Sequence, residues 1–317
     1  MHQRGNGIAL GLDLVSTPVV TVAFLRSCVL AARPKTLPAA IVPVWTGCVL
    51  AWKLTGAFDP WLALDTLLGA IAIQIATNFF NDAIDARKGA DTTRRLGPAR
   101  VTATGLLRPR TVMGVAAGFL GVAIACGVLL YQARGWPIVA IGIPALVLAY
   151  GYTGGPFPLA YRGMGEGFVI VFFGLVAVAG TVFIQTGGWP PAALLLGLQT
   201  GLLSAVLISI NNFRDVAEDS TTGKRTLAVR FGPRVAARVI LLEILIAAFA
   251  GLGWLACGHA PWLLASVAVG LTGRPIIRGV LKLPPGPACN RLLALGGLQL
   301  LLFAVVFHAA AIAWGAK

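Results

Sequence analysis

WLALDTLLGAIAIQIATNFFNDAIDARKGAD, residues 61–91, joins two kinds of sequence that seldom meet. Its first part is apolar enough to enter a bilayer, and its last fourteen positions carry Asn78, Asn81, Asp82, Asp85 and Asp91. Asp and Glu together number only 11 in 317 residues, so scarce negative charge is concentrated where a greasy segment ends. Carboxylates that close repel one another, and near hydrocarbon each costs on the order of a few kcal/mol. Something positive is expected among them.

The rest of the chain says what the greasy part is. Hydrophobic residues make up 57% and charged residues 11%, with a mean hydropathy of +0.85, whereas a soluble domain carries about 25% charged residues. A span needs roughly 20 apolar residues. On that rule nine spans are expected, at 37–55, 61–81, 112–132, 136–152, 165–186, 190–210, 236–257, 260–277 and 292–314. The fold class is therefore an all-α polytopic membrane protein, its helices around a central cavity with a cap of connections on the cytoplasmic side.

The net charge of +14 invites a nucleic-acid reading, which placement of the charges removes. With the N-terminus inside, alternate connections hold 22 of the 25 basic residues, and only Lys53, Arg134 and Lys317 fall outside. That asymmetry is the positive-inside rule, and it sets the C-terminus outside. Five cysteines without metal-type spacing read as small packing residues. Asp13 and Arg26 interrupt the first apolar run, so a cleaved signal peptide is not expected; residues 14–31 read as an interfacial or partly inserted helix. On this reading 1–31 is an N-terminal segment and 32–317 one transmembrane domain. Small residues four apart in GFLGVAIACG, 118–127, suggest a close helix-packing face there.

A second acidic cluster, Asp215, Glu218 and Asp219, ends the sixth span at the same membrane level. NFFNDAID (78–85) aligns with NNFRDVAE (211–218), pairing Asn78 with Asn211, Asp82 with Asp215 and Asp85 with Glu218. As continuous helices these place Asn78, Asp82 and Asp85 on one face, and Asn211, Asp215 and Asp219 on another. Hard cations such as Mg²⁺ take such oxygens and bridge to phosphate. Arg87, Lys88, Lys224 and Arg225 lie beside the clusters to grip phosphate oxygens. A diphosphate site opening into a membrane bundle suits a polyprenyl diphosphate, whose allylic carbon ionises while an electron-rich acceptor attacks. Phe79, Phe80, Tyr150, Tyr152 and Phe213 are aromatic candidates to face that charge. His259 and His308 fall outside the cytoplasmic level and His2 sits at the terminus, so no His base is implied. A transporter of an anionic solute would set its polar residues near the bilayer midplane, and a scaffold gives no reason for paired acidic motifs.

With those residues in view, the chain resembles the UbiA-type intramembrane prenyltransferases, in ARPKTLPAAIVPVWTG (32–47), NDAIDARKGADT (81–92), RLGPARVTATGLL (95–107), YTGGPFPLAY (152–161), GEGFVIVFFG (165–174) and NNFRDVAEDSTTGKRTLAVRFG (211–232). Gly89 with the third Asp at 91, and the YTGGP and GKRTLAVR strings, resemble the branch that prenylates 1,4-dihydroxy-2-naphthoate; Ala83 and Ile84 depart from its usual aromatics. The resemblance implies Asn78, Asn81, Asp82, Asp85 and Asp91 as one Mg²⁺/diphosphate cluster, Asn212, Asp215 and Asp219 as the other, and Lys224 and Arg225 as diphosphate ligands. Tyr152 would border the reacting carbon, with Arg33, Lys35 and Tyr150 toward the acceptor. The implied product is a demethylmenaquinone formed with loss of CO₂. Other acceptors within the same chemistry are hydroxybenzoate or homogentisate.

Overall fold

The computed structural model describes residues 17–56, 58–90, 96–97 and 99–313, with the side chains of 17–21 left aside. Asp91 lies outside the described residues. Everything described is helix or connection, in the order α1 (Thr17–Ala32), α2 (Pro38–Thr55), α3 (Pro60–Arg87), α4 (Pro109–Arg134), α5 (Trp136–Gly151), α6 (Gly165–Thr186), α7 (Pro191–Arg214), α8 (Val216–Thr221), α9 (Leu227–Phe231), α10 (Pro233–Ala256), α11 (Ala260–Lys282) and α12 (Cys289–Ala313). Eight of these, α2–α4, α6, α7 and α10–α12, are long and apolar enough to cross a membrane. The expected fourth span is α5; at 16 residues it is about 24 Å long, shorter than a hydrocarbon layer of about 30 Å. The protein is an integral membrane protein.

Helix starts follow local chemistry. Pro60 occupies the first turn of α3, where its missing N–H costs nothing, and the Asp59 carboxylate accepts from the amides of Trp61 and Leu62 at 2.9 and 3.0 Å. Pro38, Pro109, Pro191 and Pro233 open α2, α4, α7 and α10 in the same way.

The bundle ends alternate as the charge pattern requires. At one end Arg134, closing α4, donates to the carbonyls of Ile184 and Gln185 at the close of α6. There Gln185 also pairs with the backbone of Asp59 before α3. Trp61, Trp136 and Trp189 are exposed at this end, where indole rings suit a headgroup layer. The ends of α3 and α7, the start of α6 and both acidic clusters lie at the opposite end.

The closest helix approach is not where the small-residue run suggested. Gly118, Gly121 and Gly127 have nothing near the position a Cβ would take, and α4 meets α3 through Cys126, 3.3 Å from such a position at Gly69. Instead α6 and α7 touch backbone to backbone. A Cβ at Gly174 would lie 2.3 Å from the Gly197 carbonyl oxygen, and one at Gly201 would lie 2.6 Å from that of Ile170. The widened π turn Ile170–Val176 of α6 sits at this contact. A glycine stripe works for packing only where a neighbour presents its own backbone. Opposite, α7, α10 and α11 are latched by Gln199, which donates to the Ala247 carbonyl and Ser266 Oγ and accepts from Trp254 Nε1. His308 accepts from Trp45 Nε1, a packing contact between α2 and α12.

Candidate active site

Two spaces lie next to each other inside the bundle. One is an apolar chamber of about 590 Å³ between α2, α3, α4, α5 and α6, walled by groups such as Ile73, Leu146, Phe168, Phe172 and Ile184. The other is a polar cavity of about 70 Å³ at the acidic end, under a cap made by the 152–164 and 222–226 connections. The two cap connections are joined by the Arg225 amide donating to the Tyr161 carbonyl, and Gly163 has φ of +68° with no room for a Cβ beneath Arg225. The rings of Tyr152 and Phe168, 5.3 Å apart, divide the two spaces. A Cβ at Gly165 would sit 3.0 Å from the Tyr152 hydroxyl, so glycine there lets the tyrosine reach the boundary. Burial holds the Tyr152 phenol well above its ordinary pKa, and the nearby Glu166 and Asp85 charges act the same way.

The cavity is lined by Asn81 and Asp85 from α3 and by Asn211, Asn212, Asp215, Glu218 and Asp219 from the α7–α8 junction. The distant acidic stretches thus converge on one pocket. Asp85 gathers the donors there, accepting from Arg100 Nη2 at 3.2 Å, Lys224 Nζ at 3.0 Å and the Tyr161 hydroxyl at 2.8 Å. Asp215 is held by both Nε and Nη2 of the buried Arg214, at 2.7 and 2.6 Å. Arg214 is in turn fixed by Asn290 Oδ1 at the start of α12. The Thr153 hydroxyl donates to Asn81 Oδ1. Arg33 also reaches the lining, from a backbone with φ of +52°, the one non-glycine residue with positive φ among the described residues. Such a conformation costs of order 1–3 kcal/mol and persists only where its surroundings impose it.

Other expected members stand elsewhere. Asn81 and Asp85, four apart, share the cavity face; Asn78 and Asp82, also four apart, share a different one. Asn78 donates to the Ala32 carbonyl and Thr36 Oγ1, tying α3 to the turn before α2. Asp82, 1% exposed, accepts from the amides of Val101 and Thr102 at 3.1 and 2.9 Å. It anchors the connection that carries Arg100. The aligned pairs Asn78/Asn211 and Asp82/Asp215 therefore do not correspond in space, because one residue of register moves a helical side chain by about 100°. Nor is the second acidic stretch one unbroken helix, since Asp215 leaves helical geometry between α7 and α8. Arg87, Lys35 and Arg225 are exposed and outside the lining. Lys88 donates to the Thr153 carbonyl and lies over the Tyr161 ring; burial lowers its pKa from the ordinary value. Tyr150 packs edge-on against Phe80. Arg100, Thr153, Tyr161 and Glu166 were missed as site residues. Each lies in a string that carries the family resemblance, but nothing in spacing alone distinguishes them.

Among the described residues no three His, Cys, Asp or Glu side chains converge tightly enough to hold a metal by themselves. The donor set nonetheless fits Mg²⁺, which binds through one or two carboxylates, several waters and substrate phosphate. Hard carboxylate and amide oxygens surround the cavity, and one of them, Glu166 Oε2, is buried with no hydrogen-bond partner among the described residues.

An acid- and amide-lined pocket beside an apolar chamber, at one end of a bundle of membrane helices, is the arrangement of a membrane enzyme. The chain belongs to the UbiA prenyltransferase family, whose model matches residues 40–302. It is 34% identical over 285 residues, 86% of this chain and 92% of the relative, to a 1,4-dihydroxy-2-naphthoate octaprenyltransferase of Mycobacterium leprae. It is 37% identical over 208 residues, 63% of this chain and 68% of the relative, to an enzyme of the same name from Haemophilus influenzae. Among solved structures, the apo form of a UbiA homolog from Aeropyrum pernix superposes with a TM-score of 0.66 at 17% identity, covering 89% of this chain and 98% of that one. A UbiA homolog from Archaeoglobus fulgidus bound to DMAPP and Mg²⁺ gives 0.60 at 16% identity, with 90% and 99% covered.

Proposed function

We propose that this enzyme transfers a polyprenyl group from its diphosphate to 1,4-dihydroxy-2-naphthoate, with decarboxylation, giving a demethylmenaquinone. The observation that carries the reading is the convergence of Asn81 and Asp85 with Asn212, Asp215 and Asp219 on a polar pocket that adjoins a much larger apolar chamber. The acceptor is taken from the names of relatives in several bacteria.

Asn81, Asp85, Asn212, Asp215 and Asp219 would hold Mg²⁺ with the diphosphate. When bound, the ion screens the charge that builds on the diphosphate oxygens as the allylic C–O bond opens. Lys224 and Arg100 stand ready to bind those oxygens and are aimed by their contacts with Asp85. Tyr152 and Phe168 present ring faces at the boundary, where the allylic carbon of a molecule spanning both spaces falls. The tail lies in the chamber, whose apolar walls keep water from the electron-poor carbon. Asp82 holds the Val101–Thr102 backbone, and through it Arg100.

The basic-residue asymmetry supports a cytoplasmic N-terminus and active site in the bacterial inner membrane, with the C-terminus outside. Residues 32–317 act as one transmembrane domain behind the N-terminal segment. The test is purified protein supplied with one polyprenyl diphosphate and, separately, dihydroxynaphthoate, hydroxybenzoate or homogentisate. Prenylation of dihydroxynaphthoate with release of CO₂ is the expected result; its absence ends this reading.

A further inference from the structure

Glu166 is the second residue of α6, 7% exposed, and lines the polar cavity. Its Oε1 accepts from Asn212 Nδ2 at 2.8 Å. Its Oε2 is buried and has no hydrogen-bond partner among the described residues. Asp85 and Asp215, by contrast, are each met by guanidinium or ammonium groups. A buried carboxylate with one neutral donor and one empty oxygen is costly unless a positive group joins it.

The contact also decides how Asn212 is oriented. An amide has a donor end and an acceptor end. Turned the other way, Asn212 would set its carbonyl oxygen against the Glu166 carboxylate, acceptor against acceptor. With Nδ2 committed to Glu166, Oδ1 is the end left for the cavity, and a hard cation takes oxygen rather than an amide N–H. Both consequences point the same way.

We propose that Glu166 is a positioning residue of the cation site: it fixes the Asn212 amide with its oxygen toward the cavity and adds its own Oε2 beside it. This rests on the reading that the cavity holds a divalent cation with a diphosphate. Groups that orient a metal's ligands typically contribute 10- to 100-fold to metal affinity.

The test is Mn²⁺ binding to the full-length protein in detergent, read from the loss of the free-ion EPR signal, with geranyl thiodiphosphate present as an unreactive diphosphate. Glu166→Ala removes both contributions and is expected to weaken Mn²⁺ about 10- to 100-fold. Glu166→Gln keeps an acceptor for Asn212 but replaces the free oxygen by an NH₂, and should fall between Ala and wild type, with Glu166→Asp nearer wild type. If Glu166→Ala fails to fold, the Gln and Asp variants decide. Mn²⁺ affinity within twofold of wild type in the variants that fold overturns the proposal while leaving the proposed function intact. Wild-type protein that takes up no Mn²⁺ with the analogue overturns the metal–diphosphate reading, and this inference with it.

Discussion

Replacing Asp82 by alanine separates two roles that its sequence motif cannot tell apart. As a direct cation ligand, Asp82 would be needed for turnover and irrelevant to the connection after α3. In the structure its carboxylate instead accepts from the amides of Val101 and Thr102, at 3.1 and 2.9 Å, with Val101 wholly buried. Hydrogen bonds to a charged group contribute about 1.5–3 kcal/mol each, so losing both removes about 3–6 kcal/mol that holds residues 100–107 on α3. At about 1.36 kcal/mol per decade, amide hydrogen exchange at Val101 and Thr102 should speed up by about 10²–10⁴-fold. Turnover should fall as a consequence, because Arg100 in that connection is 3.2 Å from Asp85. Asp82→Asn keeps one oxygen and should lose about half the protection. The assay is exchange mass spectrometry on micelle-solubilised protein beside turnover of each variant. If Asp82→Ala abolishes turnover while exchange at 101–102 stays at the wild-type rate, the anchoring argument is wrong and Asp82 touches the ion or the diphosphate.

Asp85→Asn should cut turnover at least about 100-fold, because its charge positions Arg100 and Lys224; exchange at 101–102 should stay unchanged. Gly174→Ala puts a methyl 2.3 Å from the Gly197 carbonyl oxygen and should destabilise the α6–α7 contact by about 1–3 kcal/mol or more, seen as a lower melting temperature in detergent; unaltered melting would mean the two backbones are not that close. Tyr152 has its folded-state pKa raised above the ordinary value near 10, so the stability from burying the neutral phenol is present below that pH and is lost as pH rises through the folded value. In an ultraviolet titration to about pH 12, wild type and Tyr152→Phe should therefore develop equal tyrosinate absorbance, and a deficit of one tyrosine in the variant would contradict the placement. Cys257 is the exposed cysteine among those described, in the connection between α10 and α11, so a membrane-impermeant maleimide should label it from outside intact cells; protection there would reverse the proposed orientation.

Much of this architecture is written in composition. Span positions, their alternation and the level of both acidic stretches follow from hydropathy and basic-residue placement, because each depends on how single segments partition between water and lipid. The 60–87 helix shows the boundary of that logic. That it crosses the membrane and ends in acids is local, but which of its acids enters the pocket is a matter of rotation about its axis. Neighbouring helices set that rotation: Asn78 is taken by the turn before α2 and Asp82 by the connection after α3, leaving Asn81 and Asp85 to face α7.

The same division explains the glycines and Glu166. A stripe of small residues can be read along the chain, but only the partner's backbone makes it a contact, and that partner appears at Gly174 and Gly201 rather than at 118–127. Glu166 looks like an ordinary first-turn acid until Asn212, 46 residues later, is seen to donate to it. Partition free energies belong to segments and are visible in sequence. Hydrogen-bond pairing and helix rotation belong to the packed bundle, where each donor is satisfied by whichever distant segment the fold brings alongside.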